Sequence, residues 1–404
     1  MALVLFLLTA LGIILLIGIY AYLILKINDL TYDKEFLALK RPESLEDFPK
    51  ISVIVPARNE QRNIKRCINS ILNFDYPNFE IIVVDDFSSD KTTDIVNEIA
   101  KNQSKIKITL LNSINFDLKE RKNWTSGKGF VLWNASTFAS GEWLLFIDAD
   151  TKQKNDGLWR SVLFTLNNKL KVFSGSGIYF NPKFWGDVFE SIIYTAVFIS
   201  IPLKKVNNPK EKVGWLNGQF ILFEKETYFN VNGHKAIKEF ITDDLAMANY
   251  LKKQNVEYKF LTMAELYNCT NYVGLREAVN AWVRLIAMGT SWIGIKKLYL
   301  INSIITIFLT SVLPFLIFPF SITNKISYNF LFLNLNTLVK IQIILAIFLL
   351  ALNRSAMKIP IWRSIFLPIG SIFTIFVYMK SFYQRFIKKT ISWKNRSLKV
   401  DDIS

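Results

Sequence analysis

Five short groups of charged and polar residues in this sequence could do chemistry. They are Pro-Ala-Arg-Asn-Glu at 56–60, Asp85-Asp86, Gly127-Lys128, Asp148-Ala149-Asp150 and Thr242-Asp243-Asp244. The Asp-x-Asp group is the most informative, because two carboxylates at the end of an apolar stretch repel each other unless a cation lies between them. A divalent cation with oxygen ligands would serve, and it would also hold a diphosphate. These residue types therefore favour a site for a phosphorylated ligand.

Each group also has a simpler structural explanation. Asp85-Asp86 could belong to a polar turn in which one of residues 88–90 caps the next helix. Thr242-Asp243-Asp244 could be a helix cap whose acids are favoured by the helix dipole. A lone Gly-Lys pair is nearly uninformative, and His234 could be an ordinary turn residue. The chemical interpretation depends on the order of all the groups along one α/β pattern.

Histidine and cysteine are too scarce for several common kinds of site. The chain has one histidine, His234, which excludes multi-histidine zinc sites and leaves a histidine-based triad only one candidate. Its two cysteines, Cys67 and Cys269, could form one disulfide or remain two thiols, but they cannot build a metal cluster. The chemistry must therefore run mainly on carboxylates, lysine, arginine and hydroxyls.

Short apolar runs in the middle of the chain predict buried strands, and the amphipathic stretches between them predict helices. We expect strands at 51–55, 79–86, 105–111 and 142–150, and helices at 61–73, 91–101 and 128–139. Apolar strands that alternate with helices indicate a parallel sheet covered on both faces, in a nucleotide-binding arrangement. Ligands of such sheets bind outside the carboxyl ends of the strands. The polar groups listed first follow those ends.

Two long segments contain no charged residue, at 2–25 and 298–324. Each exceeds the roughly 20 residues that cross a bilayer as a helix. We expect an uncleaved anchor over 1–26 and spans near 298–320, 331–353 and 361–380. The stretch at 184–205 is too short to span and predicts a helix in the membrane interface or a buried core helix.

The formal net charge of +16 is concentrated around the apolar segments, since residues 298–404 hold 12 Lys+Arg and two acids. This placement favours contact with lipid headgroups and disfavours nucleic acid as a partner. Basic residues also follow the first segment, at 26, 34, 40, 41 and 50, so the positive-inside rule predicts a cytoplasmic middle domain. Three further spans would place the basic tail, 381–404, outside, against the same rule. A re-entrant or interfacial segment, for which the run broken by Pro314 and Pro319 is one candidate, would remove this conflict.

The combination of motifs resembles the membrane-bound, inverting glycosyltransferases of family 2. The resemblance covers about residues 45–290 and is carried by ISVIVPARNE, IIVVDDFSSDKT, the GK of WTSGKG, LLFIDADT, GWLNGQFILFEKETYFNVNGH and ITDDLAMA. It implies the GT-A nucleotide-diphospho-sugar transferase fold, an α/β fold with a mixed, mostly parallel sheet and helices on both faces, plus transmembrane helices. It also implies an integral protein of the cell or inner membrane, with a cytoplasmic glycosyltransferase domain at 45–290 and a transmembrane region at 298–380.

The resemblance assigns donor-side roles residue by residue. Pro56, Ala57, Glu60 and one of Asp85 or Asp86, with Asp86 preferred, would hold the nucleoside of the nucleotide sugar. Lys128 would lie near the base and the diphosphate, and Asp148 would touch the ribose. Asp150 would bind Mg²⁺ or Mn²⁺ on the diphosphate.

The resemblance also assigns the acceptor side. Asp243 and Asp244 match the family's acidic pair, and Asp244 would be the catalytic base that takes the proton of the acceptor hydroxyl. Asn217, Gly218 and His234 match positions on the acceptor side, and Trp282 and Arg284 would lie there too. The implied reaction transfers a hexose from a UDP-sugar to a membrane lipid with inversion at the anomeric carbon.

Weaker features within the family concern the acceptor. The Trp124…Gly127-Lys128 spacing, the single anchor and the late ISWKNRSLKV resemble bacterial enzymes that glycosylate carotenoid or hopanoid-like lipids, although Asn395 stands where that subgroup has glycine. A processive polysaccharide synthase is an alternative, but the Gln-x-x-Arg-Trp of such enzymes is missing from REAVNAWVRL. A non-catalytic membrane scaffold is another, although Asp150 and Asp244 are both present.

Overall fold

The structure of the protein is a computed structural model. It describes residues 1–28, 31–44, 47–180, 184–262, 266–270, 274–292, 297–323, 328–330, 333–356, 360–393 and 396–399. Asn395 and the end of the predicted basic tail, 400–404, lie outside the described residues. The chain divides into an α/β unit, Leu30–Phe180 with Pro202–Thr270, and a helical unit, Met1–Asp29 with Asn181–Ile201 and Asn271–Asp401.

The α/β unit contains a large mixed sheet and a small one. Its strands are β1 (Ile51–Ala57), β2 (Phe79–Asp85), β3 (Ile108–Asn112), β4 (Trp143–Phe146), β5 (Thr151–Gln153), β6 (Val172–Gly175), β7 (Ile178–Phe180), β8 (Ile221–Glu224), β9 (Tyr258–Leu261) and β10 (Tyr267–Thr270). The large sheet has the order β3-β2-β1-β4-β8-β6-β9, and the small one has the order β5-β10-β7. Strand β8 pairs antiparallel with both β4 and β6, and the other neighbours in the large sheet are parallel. The expected mixed, mostly parallel sheet is confirmed.

Helices of the α/β unit connect these strands, and two helices of the helical unit, α1 and α8, occur among them in chain order. The α1 helix is Ala2–Asn28, in the helical unit, and the α/β unit holds α2 (Thr31–Ala38), α3 (Ile64–Leu72), α4 (Thr92–Asn102), α5 (Leu118–Arg121), α6 (Gly127–Ser136) and α7 (Gly157–Asn167). The helical unit contributes α8 (Phe184–Ser200), and the α/β unit continues with α9 (Leu203–Val206), α10 (Lys225–Asn230) and α11 (Asp243–Lys253). Short 3₁₀ turns occupy Ser113–Asn115 and Gly233–Ile237.

The centre of the large sheet is buried because its strands are apolar on both faces. Every residue of β2 is buried, and in β1 only Pro56 is partly exposed. Ile64 and Ile68 of α3 and Leu158 of α7 belong to the same core as the strand residues. A strand covered on both faces has a continuous apolar sequence, which is why β1 and β2 were predictable within two residues.

The strand expected over 142–150 ends earlier than the sequence indicates. Strand β4 stops at Phe146, and only the N–H of Ile147 continues along β1, donating to the carbonyl of Ile54 at 3.1 Å. The chain then turns, with the N–H of Thr151 donating to the carbonyl of Asp148 at 3.2 Å, and enters the small sheet. Asp148 and Asp150 are therefore in the loop between two sheets, and not in the strand itself.

The helical unit contains the apolar segments. After α1 and α8 come α12 (Leu275–Trp292), α13 (Lys297–Ser311), α14 (Leu313–Ile322), α15 (Leu335–Ala356) and α16 (Leu367–Phe382), with a 3₁₀ turn at Ile361–Phe366 and a π-helical turn at Tyr383–Ile387. Two antiparallel strand pairs add β11 (Asn329–Phe330) with β12 (Leu333–Asn334) and β13 (Thr390–Trp393) with β14 (Arg396–Lys399).

Four helical segments among the described residues are long and apolar enough to cross a membrane. They are Ala2–Leu25, Lys297–Ile322, Leu335–Ser355 and Ile361–Ile387. Many of their large side chains are exposed, such as Ile14, Ile344 and Phe376, as expected for surfaces that face lipid. The spans match the four apolar segments of the sequence, and their orientation stays a prediction.

The short apolar helix α8 packs inside the helical unit. Its Phe189 and Ile193 are buried in one cluster with Trp282 of α12 and Val377 of α16. Gly370 of α16 lies so close that a Cβ there would meet the carbonyl oxygen of Val188 at 2.2 Å. Of the two interpretations of residues 184–205, this packing favours the buried core helix.

Candidate functional site

Two loops at the carboxyl ends of β1 and β2 are joined by hydrogen bonds. The N–H of Asn59 donates to Ser88 Oγ at 2.9 Å, and the N–H of Glu60 donates to Thr92 Oγ1 at 2.8 Å. Asp90 accepts from the N–H of Thr92 at 3.0 Å, as a helix cap would. The capping explanation therefore accounts for Asp90. The hydroxyls of Ser88 and Thr92 have another role, since their hydrogen bonds join the two loops.

Asp85 and Asp86, at the end of β2, are both buried but have different partners. Arg121 Nη1 lies 2.6 Å from Asp86 Oδ1, and Ser113 Oγ donates to the same oxygen at 3.2 Å. Arg58 Nη1 is 3.7 Å from Asp86 Oδ2. Asp85 Oδ2 accepts the N–H of Ser88, but Asp85 Oδ1 is buried without a hydrogen-bond partner. A buried acceptor of this kind is costly unless a ligand satisfies it.

Lys128 connects two parts of the site that are far apart in sequence. It lies in the first turn of α6, whose N-cap Ser126 accepts the N–H of Gly129 at 3.0 Å. Its Nζ is 2.6 Å from Asp148 Oδ1 and 3.8 Å from Asp243 Oδ2. Burial by itself lowers the pKa of Lys128, but the charges of Asp148 and Asp243 outweigh it, and the net effect is a raised pKa. Lys128 is therefore a fixed positive charge between the two carboxylates.

Asp150 has the features of a cation ligand. Its Oδ1 is buried without a hydrogen-bond partner, and its main-chain carbonyl accepts from Arg66 at 2.8 Å. Burial, followed by the charges of Asp148 and Glu60, raises the pKa of Asp150. Within the described part of the chain, no group of three or more His, Cys, Asp or Glu side chains is arranged to hold a metal. The residues fit a divalent cation that would take its other ligands from a bound diphosphate.

Asp243 and Asp244 start α11, where Thr242 does not cap the helix as the simpler explanation would require. The Thr242 side chain makes no cap hydrogen bond, and its Oγ1 is buried without a partner. Asp244 Oδ1 accepts the N–H of Leu245 at 2.8 Å, and Oδ2 accepts the N–H of Gly218 at 3.2 Å. Burial, followed by the charge of Asp243, raises the pKa of Asp244. Asp244 is thus a carboxylate with increased proton affinity, held by backbone donors.

Gly218 allows a close approach between these groups. A Cβ at this position would lie 3.1 Å from Lys128 Nζ and 3.6 Å from Asp244 Oδ2. The neighbouring Asn217 uses its side chain within the protein: its amide donates to the Tyr267 hydroxyl at 3.0 Å, and its oxygen accepts the N–H of Gln219 at 3.1 Å. The structure brings both residues to the site, and Asn217 supports the Gly218 backbone there.

His234 is buried and neutral. Its Nδ1 is 2.8 Å from the Tyr228 hydroxyl, and the Phe146 ring stands edge-on at 5.1 Å between centroids. Burial lowers the pKa of His234 to about 4, a shift that the charge of Asp243 partly opposes. Because it is uncharged at physiological pH, His234 cannot act as a cation toward a phosphate.

Trp282 and Arg284 lie on α12 in the helical unit. Trp282 is buried, and its indole N–H donates to Glu190 Oε1 at 3.2 Å. Arg284 is partly exposed. All the other predicted site residues belong to the α/β unit, where they lie at the ends of β1 and β2 or in the loops and helix starts described above. The individual roles of all these residues stay predictions.

Sequence reasoning missed Arg121, which provides the strongest contact to Asp86. The segment LKER around it has the composition of an exposed charged helix, and nothing in its spacing distinguishes Arg121 from its neighbours. A cavity of about 320 Å³ in the same unit contains none of the predicted site residues and is lined by Asp117, Glu120, Trp124, Phe130, Trp133, Asn134, Lys235 and Lys238.

Comparison with known proteins gives a family match that begins in the α/β unit. Residues 52–228 match the family described as "Glycosyl transferase family 2". A beta-monoglucosyldiacylglycerol synthase of Trichormus variabilis is 27% identical over 282 residues, covering 67% of this chain and 54% of that protein. A GalNAc(5)-diNAcBac-PP-undecaprenol beta-1,3-glucosyltransferase of Campylobacter jejuni is 26% identical over 242 residues, covering 54% of this chain and 74% of that protein. The chain spans about half the length of the first of these relatives.

Solved structures show more distant likenesses. A mannosyltransferase from Pyrobaculum calidifontis, solved with GDP-Man and Mn²⁺, has 16% identity and a TM-score of 0.48, covering 95% of this chain and 99% of that one. A glucosyl-3-phosphoglycerate synthase from Mycobacterium tuberculosis has 18% identity and a TM-score of 0.39, covering 64% and 88%. At these scores no residue or ligand is carried over to this chain.

Proposed function

We propose that this chain, a member of glycosyl transferase family 2, moves a sugar from a nucleotide-diphospho-sugar to a hydroxyl group of a membrane lipid, with inversion at the anomeric carbon. One observation carries the proposal: Lys128 pairs with Asp148 on the donor side and lies beside the Asp243–Asp244 pair on the other side. Lys128, a partly buried cation, would thereby place a diphosphate-binding group next to a carboxylate of raised proton affinity. Inverting transfer needs this combination, because the diphosphate leaves from one face of the anomeric carbon while the acceptor oxygen, which gives its proton to the base, attacks the opposite face.

On the donor side, the chain offers positive charge and unsatisfied acceptors. Asp85 Oδ1, buried without a partner, would accept a hydrogen bond from the nucleoside, and Lys128 would stabilise the negative charge that develops on the leaving diphosphate. Asp150 would hold Mg²⁺ or Mn²⁺ together with the diphosphate, and the cation would supply further stabilisation of that charge.

On the acceptor side, Asp244 would take the proton of the attacking hydroxyl. Its raised pKa brings its proton affinity closer to what a general base needs near neutral pH. The N–H of Gly218 orients one carboxylate oxygen, and the N–H of Leu245 orients the other. No covalent sugar–enzyme intermediate is required, since the acceptor oxygen attacks the anomeric carbon directly.

The lipid acceptor is supported by the apolar helices and by the relatives. In the part of the chain that the structure describes, four helical segments are long and apolar enough to cross a membrane, and the two relatives named above have diacylglycerol or undecaprenol in their names. The finer form of the proposal is a UDP-hexose donor and a carotenoid or related isoprenoid acceptor, which rests on the motif resemblance. Mass spectrometry of lipids from cells with and without the gene tests it. A hexose-sized mass difference on an isoprenoid supports the finer form, the same difference on a glycerolipid changes the acceptor, and a lost polymer with unchanged lipids favours a processive synthase.

The metal is tested by Asp150→Asn. We expect the variant to fold and insert but to lose divalent-dependent donor binding, because asparagine supplies no charge to the cation. Isothermal titration with UDP, with and without EDTA, makes the measurement on the purified protein. Wild-type donor affinity that EDTA leaves unchanged would end the metal assignment while leaving Asp244 as base.

The orientation follows from the donor, since nucleotide sugars are used where they are made. We propose that the α/β unit is cytoplasmic, in agreement with the basic residues at 26–50. A reporter fused after residue 40 should give a cytoplasmic signal. An external signal would contradict both the orientation and the use of a cytoplasmic nucleotide sugar.

A further inference from the structure

Phe87 has a backbone conformation that a phenylalanine rarely adopts. It follows Asp86 directly and has φ = 57°, in the left-handed region. A bulky residue there is strained, and such strain persists only where the surroundings impose it and often where function uses it. The hydrogen bonds between the loops after β1 and β2 impose this conformation here. The Oγ of Ser88, the next residue, accepts the N–H of Asn59 at 2.9 Å.

The Phe87 side chain remains exposed although its surroundings are buried. Its exposed fraction is 40%, compared with 2% for Asp85 and 6% for Asp86. Strain is normally tolerated for a residue that packs in a core, because burial of the ring offsets it. Here the ring does not reach a core, so burial does not explain why the position holds a phenylalanine.

Arg121 fixes the Phe87 ring. Its guanidinium carbon lies 5.0 Å from the centroid of the Phe87 ring and 5.3 Å from that of the buried Phe130 ring. The same guanidinium is held by Asp86 at 2.6 Å. Cation–π contacts with two rings and an ion pair with Asp86 leave Arg121 little freedom. The Phe87 ring is therefore a preorganised aromatic surface whose remaining area faces outward.

This aromatic surface adjoins the groups that bind the nucleotide in the proposed function. Asp85 Oδ1, the buried acceptor without a partner, is two residues away in sequence. A Cβ on Gly127 would lie 3.1 Å from Arg121 Nη2 and 3.4 Å from Asp86 Oδ2, so the start of α6, which carries Lys128, closely approaches the same cluster. An exposed aromatic ring beside a cation and an unsatisfied acceptor suits a flat, hydrogen-bonding ligand.

We infer that Phe87 is the surface on which the nucleobase of the donor stacks, and that Arg121 is a positioning residue that holds this ring and Asp86. The inference rests on the proposed function, since it needs a nucleotide donor. Every base has a π-face, so stacking contributes affinity without choosing between bases.

The test replaces Phe87 by asparagine in the purified full-length protein. Asparagine adopts positive φ readily, so Phe87→Asn removes the ring while relieving the backbone. Aromatic rings that stack on bases contribute about 5- to 140-fold in affinity. We expect UDP and GDP to bind Phe87→Asn more weakly within that range, inorganic pyrophosphate to bind as it does to wild type, and the melting temperature to stay level or rise.

Two further variants control the test. Phe87→Trp keeps an aromatic surface and should retain most of the UDP affinity. Phe138→Asn removes another exposed ring, 57% exposed and in contact with Phe116, and should leave UDP binding unchanged.

Three results would overturn the inference. UDP affinity of Phe87→Asn within twofold of wild type shows that the base does not stack there. An equal loss for UDP and pyrophosphate, or a lower melting temperature, assigns Phe87 to packing. If wild-type protein binds neither UDP nor GDP, the proposed nucleotide donor itself is wrong. This result differs from the first two because in those the wild-type protein still binds UDP.

Discussion

Two pairs of adjacent aspartates lie at the site, and they differ in the partners that their carboxylates have. In the pair at the end of β2, Asp86 is neutralised by the Arg121 guanidinium at 2.6 Å, and its neighbour keeps one oxygen without a partner. In the pair at the start of α11, Lys128 approaches Asp243 only to 3.8 Å, and Asp244 is held by two backbone N–H groups.

The difference shows how environment divides one residue type into two roles. A carboxylate in a close ion pair keeps its charge and serves as a fixed anion or as an acceptor for a ligand. A carboxylate that is buried beside another carboxylate has a raised pKa and can exchange a proton. The β2 pair therefore suits binding, and the α11 pair suits proton transfer.

The variant Asp244→Asn gives the strongest test of this difference between the two pairs. Asparagine keeps the shape and can still accept from Gly218, but it cannot take the proton. We expect sugar transfer to fall by about 10²–10⁴-fold with little change in UDP affinity, since general-base contributions lie in this range. Transfer assays and UDP titration on the same purified variant make the measurement. If Asp244 were only a helix cap, asparagine would serve equally well and transfer would stay within a few-fold of wild type.

Removing the cation of the first pair should affect stability more than chemistry. Arg121→Gln leaves Asp86 buried without its close partner, which we expect to cost about 3–5 kcal/mol of folding stability. Adding Asp86→Asn to the same variant should recover much of the loss, because the unpaired charge is then gone. Thermal unfolding of the single and double variants measures this coupling. Equal melting temperatures for Arg121→Gln and wild type would show that the ion pair contributes nothing to the fold.

His234, which lies in the field of Asp243, should make stability depend on pH. Its folded pKa of about 4 is below the unfolded value of about 6.5, so the unfolded chain binds a proton that the folded chain does not as pH falls through this window. Stability from this residue is complete above pH 6.5 and is lost on acidification, by about 2 kcal/mol at pH 5. His234→Gln should therefore lose less stability than wild type between pH 7.5 and pH 5, as measured by melting temperature. Parallel curves for the two proteins would contradict a buried, neutral His234.

The smallest effect is expected from Asp243→Asn. Burial and the charge of Asp243 both raise the pKa of Asp244, so removing that charge should lower it. Transfer needs Asp244 deprotonated, and the acid limb of kcat/KM should move to lower pH while the maximal rate changes little. A pH–rate profile of both proteins measures the shift. A loss of transfer as large as that of Asp244→Asn would identify Asp243 as the base.

Much of the α/β unit could be predicted because its strands and their polar ends are local features. Strands β1 and β2 are continuous apolar runs, and the groups 56–60 and Asp85-Asp86 follow them directly. The family expected from these motifs is confirmed by the match over residues 52–228. The predicted end of β4 was wrong because the chain leaves the sheet through a turn after Phe146. An apolar residue such as Ile147 is equally compatible with the strand and with the turn that follows it.

The four apolar segments were equally clear, since a helix that crosses a bilayer needs sufficient length and few charged residues, and both are visible in the sequence. The sequence by itself thus determined the alternation of strands and helices, the positions of polar groups after strands, and the segments suited to lipid. All of these depend on residues close together in the chain.

Only the tertiary structure decided which cation compensates which carboxylate. Arg121 reaches Asp86 across 35 positions, and Lys128 joins Asp148 to Asp243, which are 95 positions apart. It also decided that Phe87 is strained and exposed, because the hydrogen bonds that hold its loop come from the loop after β1. The physical reason is that burial and charge pairing depend on distances set by chain closure, and a charged residue carries no local mark of the partner that it will meet.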